Sequence, residues 1–208
     1  MDTQQLLSHV QRSLALADAN QSKLSQDVLQ LPGCSGTKTK HLLNNLMSLD
    51  GVRYLDVGTC EGSSVCSAAY GNTCEMTVVD NYQGGTKDLR VKNMATFANG
   101  PDVTLVEKDP FRVNVTKELK KYNVYLYDGP DHSNLGHYRA IQHFYRAMDD
   151  VFVLLIDDWN WPDVKTSTAN ALKGMRLNKL FEREISTGSG SDPAWWNGMY
   201  VAVLEKSK

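Results

Sequence analysis

Carboxylates and glycines gather at a few points of this chain, and their spacing limits the chemistry open to it. Asp56-Val57-Gly58-Thr59-Cys60-Glu61-Gly62-Ser63-Ser64 joins an apolar run to a helix-forming segment. Gly58 and Gly62 allow a tight turn and close approach to a ligand, and Ser63 and Ser64 suit a helix start. The loop is not a dinucleotide fingerprint: Asp56 stands at its first glycine and Glu61 at its third. A pyrophosphate would meet two carboxylates there, whereas an ammonium or sulfonium would be attracted. A plain strand–turn–helix with capping residues is the competing reading. Val78-Val79 leads to Asp80, about 20 residues beyond the loop, where an acid can accept from both hydroxyls of a ribose. Asp109, in Glu107-Lys108-Asp109-Pro110-Phe111, could accept from an adenine amino group, with Pro110 or Phe111 against the ring. An Asp-Pro turn is the alternative.

Two further clusters follow, Tyr127-Asp128-Gly129-Pro130-Asp131-His132-Ser133 and Ile156-Asp157-Asp158-Trp159-Asn160-Trp161. Adjacent carboxylates leaving so apolar a run are costly to bury unless paired, capped or metal-bound. Neighbouring strands lie about 4.8 Å apart, so Asp128, Asp157 and Asp158 could converge on one hard cation such as Mg²⁺. Turn capping competes with that reading. His132 precedes a helix and offers a neutral imidazole at pH 7 as general base. It could equally cap that helix or bond Asp158. Trp159 and Trp161 either fill core or wall an aromatic or sugar pocket.

These groups need elements to hold them. Val52–Val57, Met76–Asp80, Val103–Val106, Val124–Asp128 and Val151–Asp157 are short, continuous apolar runs, the pattern of strands buried on both faces. Helices are predicted over 63–71, 86–99, 114–121 and 134–148. That alternation predicts a parallel sheet with right-handed crossovers, whose ligand site lies at the carboxyl ends of the strands. Leu180–Ser186 and Met199–Glu205 predict a closing hairpin around Thr187–Gly198. Ahead of the sheet, residues 3–30 predict one helix ended by Pro32-Gly33, and a second begins near Thr37.

With 208 residues, 41% hydrophobic and 22% charged, the chain is expected to form one domain over 1–208, helices and lid in 1–49 and α/β core in 50–208. A net charge of −2 gives no basic excess, so neither nucleic acid nor an acidic membrane is the expected partner. No cleaved leader and no membrane span are predicted. Cys34, Cys60, Cys66 and Cys74 lack metal spacing and read as free, packed thiols in a reducing, cytoplasmic setting.

Together, Asp56-x-Gly58-x-x-x-Gly62, the acid at Asp80 and the terminal hairpin resemble the class I S-adenosylmethionine-dependent methyltransferases, over about 50–205. Asp128-Gly129-x-Asp131-His132-Ser133 and Ile156-Asp157-Asp158 are similar to small-molecule O-methyltransferases of the antibiotic-sugar, macrolide and catechol-like groups. The resemblance implies a Rossmann-like doubly wound, mostly parallel seven-stranded sheet with a C-terminal antiparallel hairpin and N-terminal helices. It implies S-adenosylmethionine held by Asp56, Gly58, Thr59, Glu61, Gly62 and Ser63 on the methionine and ribose side. Asp80 would take the ribose diol and Asp109 the adenine edge. It further implies a divalent cation at Asp128, Asp157 and Asp158, and a small hydroxylated acceptor. Catechol-type enzymes carry a lysine base after the strand-four acid; here that stretch offers Asp131 and His132, so Asp128 and His132 are the catalytic candidates. Cys34-Ser35-Gly36-Thr37-Lys38 resembles the family's variable lid. A homodimer is left open. An NAD-type oxidoreductase and a catalytically silent binding protein on the same fold are the alternatives.

Overall fold

The computed structural model describes residues 2–82, 87–129, 131, 133, 135–188 and 190–207. Along the chain run α1 (Thr3–Asp18), α2 (Gln26–Leu29), α3 (Thr37–Leu46), β1 (Arg53–Val57), α4 (Ser63–Ala69), β2 (Glu75–Val79), α5 (Lys87–Phe97), β3 (Asp102–Val106), α6 (Val115–Glu118), β4 (Tyr122–Tyr127), α7 (Gly136–Phe144), β5 (Met148–Asp157), α8 (Pro162–Lys173), β6 (Leu177–Ile185) and β7 (Met199–Lys206). The strands make one seven-stranded sheet in the order β3-β2-β1-β4-β5-β7-β6. The first five are parallel, and β7 runs antiparallel between β5 and β6. This is the Rossmann-like sheet closed by a C-terminal antiparallel hairpin that the resemblance implies, with β7 the reversed strand.

Each face of the sheet carries its own apolar cluster. On one, Leu6, Val10 and Leu14 of α1 and Leu42, Leu43 and Leu46 of α3 pack with α4 over Tyr54, Met76 and Val124. On the other, Ala140, Ile141 and Phe144 of α7 and Val164 and Ala171 of α8 cover Leu55, Tyr125 and Leu154. Strand β4 is buried along its whole length, as a continuous apolar run demands.

Four expectations change. The helix predicted over 3–30 ends at Asp18, because Asn20 adopts φ +54° and closes α1 with a left-handed turn, leaving α2 as a separate single turn. The segment 114–121 keeps only four helical residues. Strand β3 is not buried on both faces: it forms the sheet edge, with Asp102, Thr104 and Leu105 exposed. Helix α8 has no counterpart among the predicted helices, although Pro162 at its first turn and Asp163 beside it are start signals.

Candidate active site

Strand order reverses between β1 and β4, where an open α/β sheet leaves a crevice. Asp128 N donates to Val57 O at 2.9 Å and Gly58 N to Val79 O at 3.0 Å, so the ladder runs one residue past these strands. That brings Gly58, at φ +88°, against the next strand end: a Cβ there would stand 2.0 Å from the Asp128 carbonyl oxygen. Gly62 shares φ +88°, and its Cβ would meet Arg90 Cγ at 2.8 Å. Both positions exclude a side chain.

Asp56 is fully buried beneath this loop rather than on the cavity wall. Ser64 Oγ donates to its Oδ2 at 2.8 Å, and Thr59 Oγ1 lies 3.0 Å from Ser64 Oγ. Its Oδ1 and the nearby Tyr54 hydroxyl are buried without a hydrogen bond of good geometry. Burial pushes the Asp56 carboxyl up to about 7, the bond from Ser64 opposes this, and Asp80 adds to the rise. Ser63 is likewise buried, and Glu61 is half-buried. Asp80 faces the cavity and organises the loop itself: Oδ2 accepts from Thr59 N at 2.8 Å and Cys60 N at 3.2 Å, and Oδ1 from Tyr82 N at 2.7 Å. A carboxylate offers about four lone-pair sites, so a ribose diol would share these oxygens with the loop amides. Asp109 accepts from Phe111 N at 2.9 Å as the cap of a short turn, and Pro110, not Phe111, reaches the cavity. Phe111 lies instead beneath the Arg139 guanidinium, 4.4 Å from its centroid.

The cavity encloses about 300 Å³ between the glycine loop and the ends of β4 and β5. Asp80, Asp128 and Asp158 line it, and among the described residues no lysine or arginine does. Asp128, Asp157 and Asp158 converge as the spacing predicts: one carboxylate oxygen of each lies within 4.8 Å of the others. Asp157 is 4% exposed, and its Oδ1 is buried without a hydrogen-bond partner among the described residues. Burial, then the charges of Asp128 and Asp158, raise its carboxyl well above the usual carboxylate range. Three carboxylates around an orphaned buried oxygen fit a divalent cation with oxygen ligands.

Asp158 takes φ +58°, and its Oδ1 accepts from Asn197 Nδ2 at 2.7 Å. Asn197 and Trp196, from the connection between β6 and β7, line the cavity with the exposed Trp161. Sequence reasoning missed both, since nothing in the order of residues places this connection beside β5. Of the two readings of Trp159, the structure takes the core one. It leaves the cavity altogether, stacking on Tyr200 at 4.5 Å and donating from Nε1 to Glu184 at 2.9 Å on the other side of the hairpin. All four cysteines are free, yet only Cys66 and Cys74 are packed; Cys34 and Cys60 stand exposed at the cavity. His132 and Pro130 lie outside the described residues. Asp131 caps its own turn, accepting from Ser133 N at 3.0 Å.

No family model and no curated protein sequence matches the chain. Among solved structures it is similar to the O-methyltransferase from Bacillus cereus in complex with SAH, at 13% identity and TM-score 0.65, over 96% of this chain and 100% of that one. It is also similar to TrmN from Thermus thermophilus, at 16% identity and TM-score 0.61, over 87% of this chain and 52% of that one. A tRNA methyltransferase from M. jannaschii matches at 13% identity and TM-score 0.55, over 82% of this chain and 49% of that one. The chain thus spans about half the length of the last two. At such identities the likeness is one of fold: the Rossmann-like fold of S-adenosylmethionine-dependent methyltransferases.

Proposed function

We propose that the chain is an S-adenosylmethionine-dependent methyltransferase that methylates a hydroxyl of a small molecule, assisted by a divalent cation. One observation carries the reading: a glycine loop and three acids share a cavity whose described lining has no basic side chain. Such a wall attracts the ammonium and sulfonium of S-adenosylmethionine and repels the pyrophosphate of a nicotinamide dinucleotide. The net charge of −2 favours a small acceptor over tRNA.

The sulfonium supplies an electrophilic methyl group, and the protein's part is to align, deprotonate and exclude water. Gly58 and Gly62 let the loop backbone approach the ligand, and Asp80 fixes that loop while facing the ribose. Asp128, Asp157 and Asp158 would hold the cation, Mg²⁺ being favoured over Zn²⁺ by their all-oxygen donor set. When bound there, a divalent cation lowers the pKa of a nearby hydroxyl and orients it. Asp128, at the cavity face, and His132 are the candidates for receiving the proton.

Transfer from labelled S-adenosylmethionine to a panel of small hydroxylated acceptors tests the reading. Turnover is expected to disappear in EDTA, to return with Mg²⁺, and to fail in Asp157→Asn. Turnover that survives exhaustive chelation and this substitution would remove the cation from the account.

A further inference from the structure

The acidic site receives a hydrogen bond from a distant part of the chain. Asn197 belongs to the connection between β6 and β7, 39 residues after Asp158, yet its Nδ2 donates to Asp158 Oδ1 at 2.7 Å. Its own Oδ1 accepts from Ser191 N at 3.1 Å. These two partners fix the amide orientation, because a carboxylate can only accept and a backbone N–H can only donate. The residue beside Asp158 is tied to the same connection: Asn160 N donates to Asn197 O at 2.7 Å, and Thr187 N donates to Asn160 Oδ1 at 2.9 Å. Thr187 Oγ1 donates in turn to the Trp196 carbonyl at 3.2 Å.

Asp158 needs such support. It has left the strand in a left-handed conformation, at φ +58°, and its carboxylate faces the carboxyl groups of Asp128 and Asp157. Repulsion from the Asp128 carboxylate would turn a freely rotating Asp158 carboxylate away from the cluster. A donor anchored by a second hydrogen bond holds it in place. Asn197 itself lines the cavity, so the anchor borders the site it serves.

We propose that Asn197 is a positioning residue for the cation site, holding the Asp158 carboxylate in register with Asp128 and Asp157. The inference rests on the cation reading above. It makes cation affinity a property of the β6–β7 connection as well as of the carboxylates. Outer partners of metal ligands are commonly worth about 10- to 100-fold in metal affinity.

Calorimetric titration of the chelated, desalted protein with MgCl₂ tests it without any turnover. Wild type is expected to bind one Mg²⁺ saturably, and Asn197→Ala to bind it about 10- to 100-fold more weakly, with an unchanged far-ultraviolet spectrum. Ser191→Ala, which keeps the backbone N–H, is expected to bind as wild type does. A second measurement needs no variant: the Asn197 side-chain amide resonances should shift with Mg²⁺ at the calorimetric midpoint. Equal affinity in Asn197→Ala, or an amide signal indifferent to bound Mg²⁺, would overturn the role of Asn197. Wild-type protein that binds no Mg²⁺ would instead overturn the cation reading itself.

Discussion

A carboxylic acid buried between two others destabilises the metal-free fold whenever it must ionise, and Asp157 is in that position. Its folded pKa lies above the unfolded value near 3.9, so the folded chain keeps a proton that the unfolded chain releases. Stability from this source is full below pH about 4 and is lost as pH rises through the folded pKa, at about 1.4 kcal/mol per pH unit per group. Asp56 acts in the same sense up to about 7. Scanning calorimetry in EDTA is therefore expected to show Asp157→Asn melting with wild type near pH 4 and clearly above it near pH 7. A variant that melts lower at pH 7 would contradict the burial argument. Asp80 makes a different prediction, because its two oxygens already gather three loop amides. Asp80→Asn leaves one acceptor oxygen and no charge. Charge-assisted bonds are worth about 1.5–3 kcal/mol, so the affinity for S-adenosylhomocysteine should fall roughly 10- to 100-fold. Unchanged affinity in a titration would separate Asp80 from the ligand.

Local rules make most elements legible in the sequence and leave long-range neighbours hidden. The five parallel strands follow from continuous apolar runs, and the carboxylate cluster follows from strand-end acids on adjacent strands. The glycine loop is legible because Gly58 and Gly62 do what other residues cannot. Gly58→Ala would need a strained φ and a backbone shift away from Asp128, since its Cβ would stand 2.0 Å from that carbonyl oxygen. A loss of more than ~1 kcal/mol is expected in denaturant unfolding, together with weakened ligand binding; a fully stable variant would mean the loop relaxes freely. Other positions escaped because their partners are remote. Trp159 belongs beside Asp158 by sequence, but alternation along the chain sends it to Tyr200 and Glu184 on the opposite side. Asn197 reaches Asp158 only through the hairpin's return. The break after α1 was readable at Asn20, whose side chain tolerates the left-handed turn that a longer apolar period conceals.

At the scale of the whole molecule, two helical layers enclose a sheet whose reversal of order between β1 and β4 opens a cavity, and Asp80, Asp128 and Asp158 face that cavity. Segment 34–38 reaches the cavity at Cys34 and is tied to the β6–β7 connection: Thr37 N donates to Pro193 O at 2.9 Å and Lys38 N to Ala194 O at 2.8 Å. Gly36 lies so close to the same loop that a Cβ would stand 2.2 Å from Ala194 O. Segment 34–38, the hairpin connection and the glycine loop thus meet around one cavity, and the account stands on what fills it. Calorimetric titration with S-adenosylhomocysteine tests that most directly. Saturable one-to-one binding, weakened in Asp80→Asn and not reproduced by NADH, is the predicted result. Tight NADH binding with no response to S-adenosylhomocysteine would contradict it.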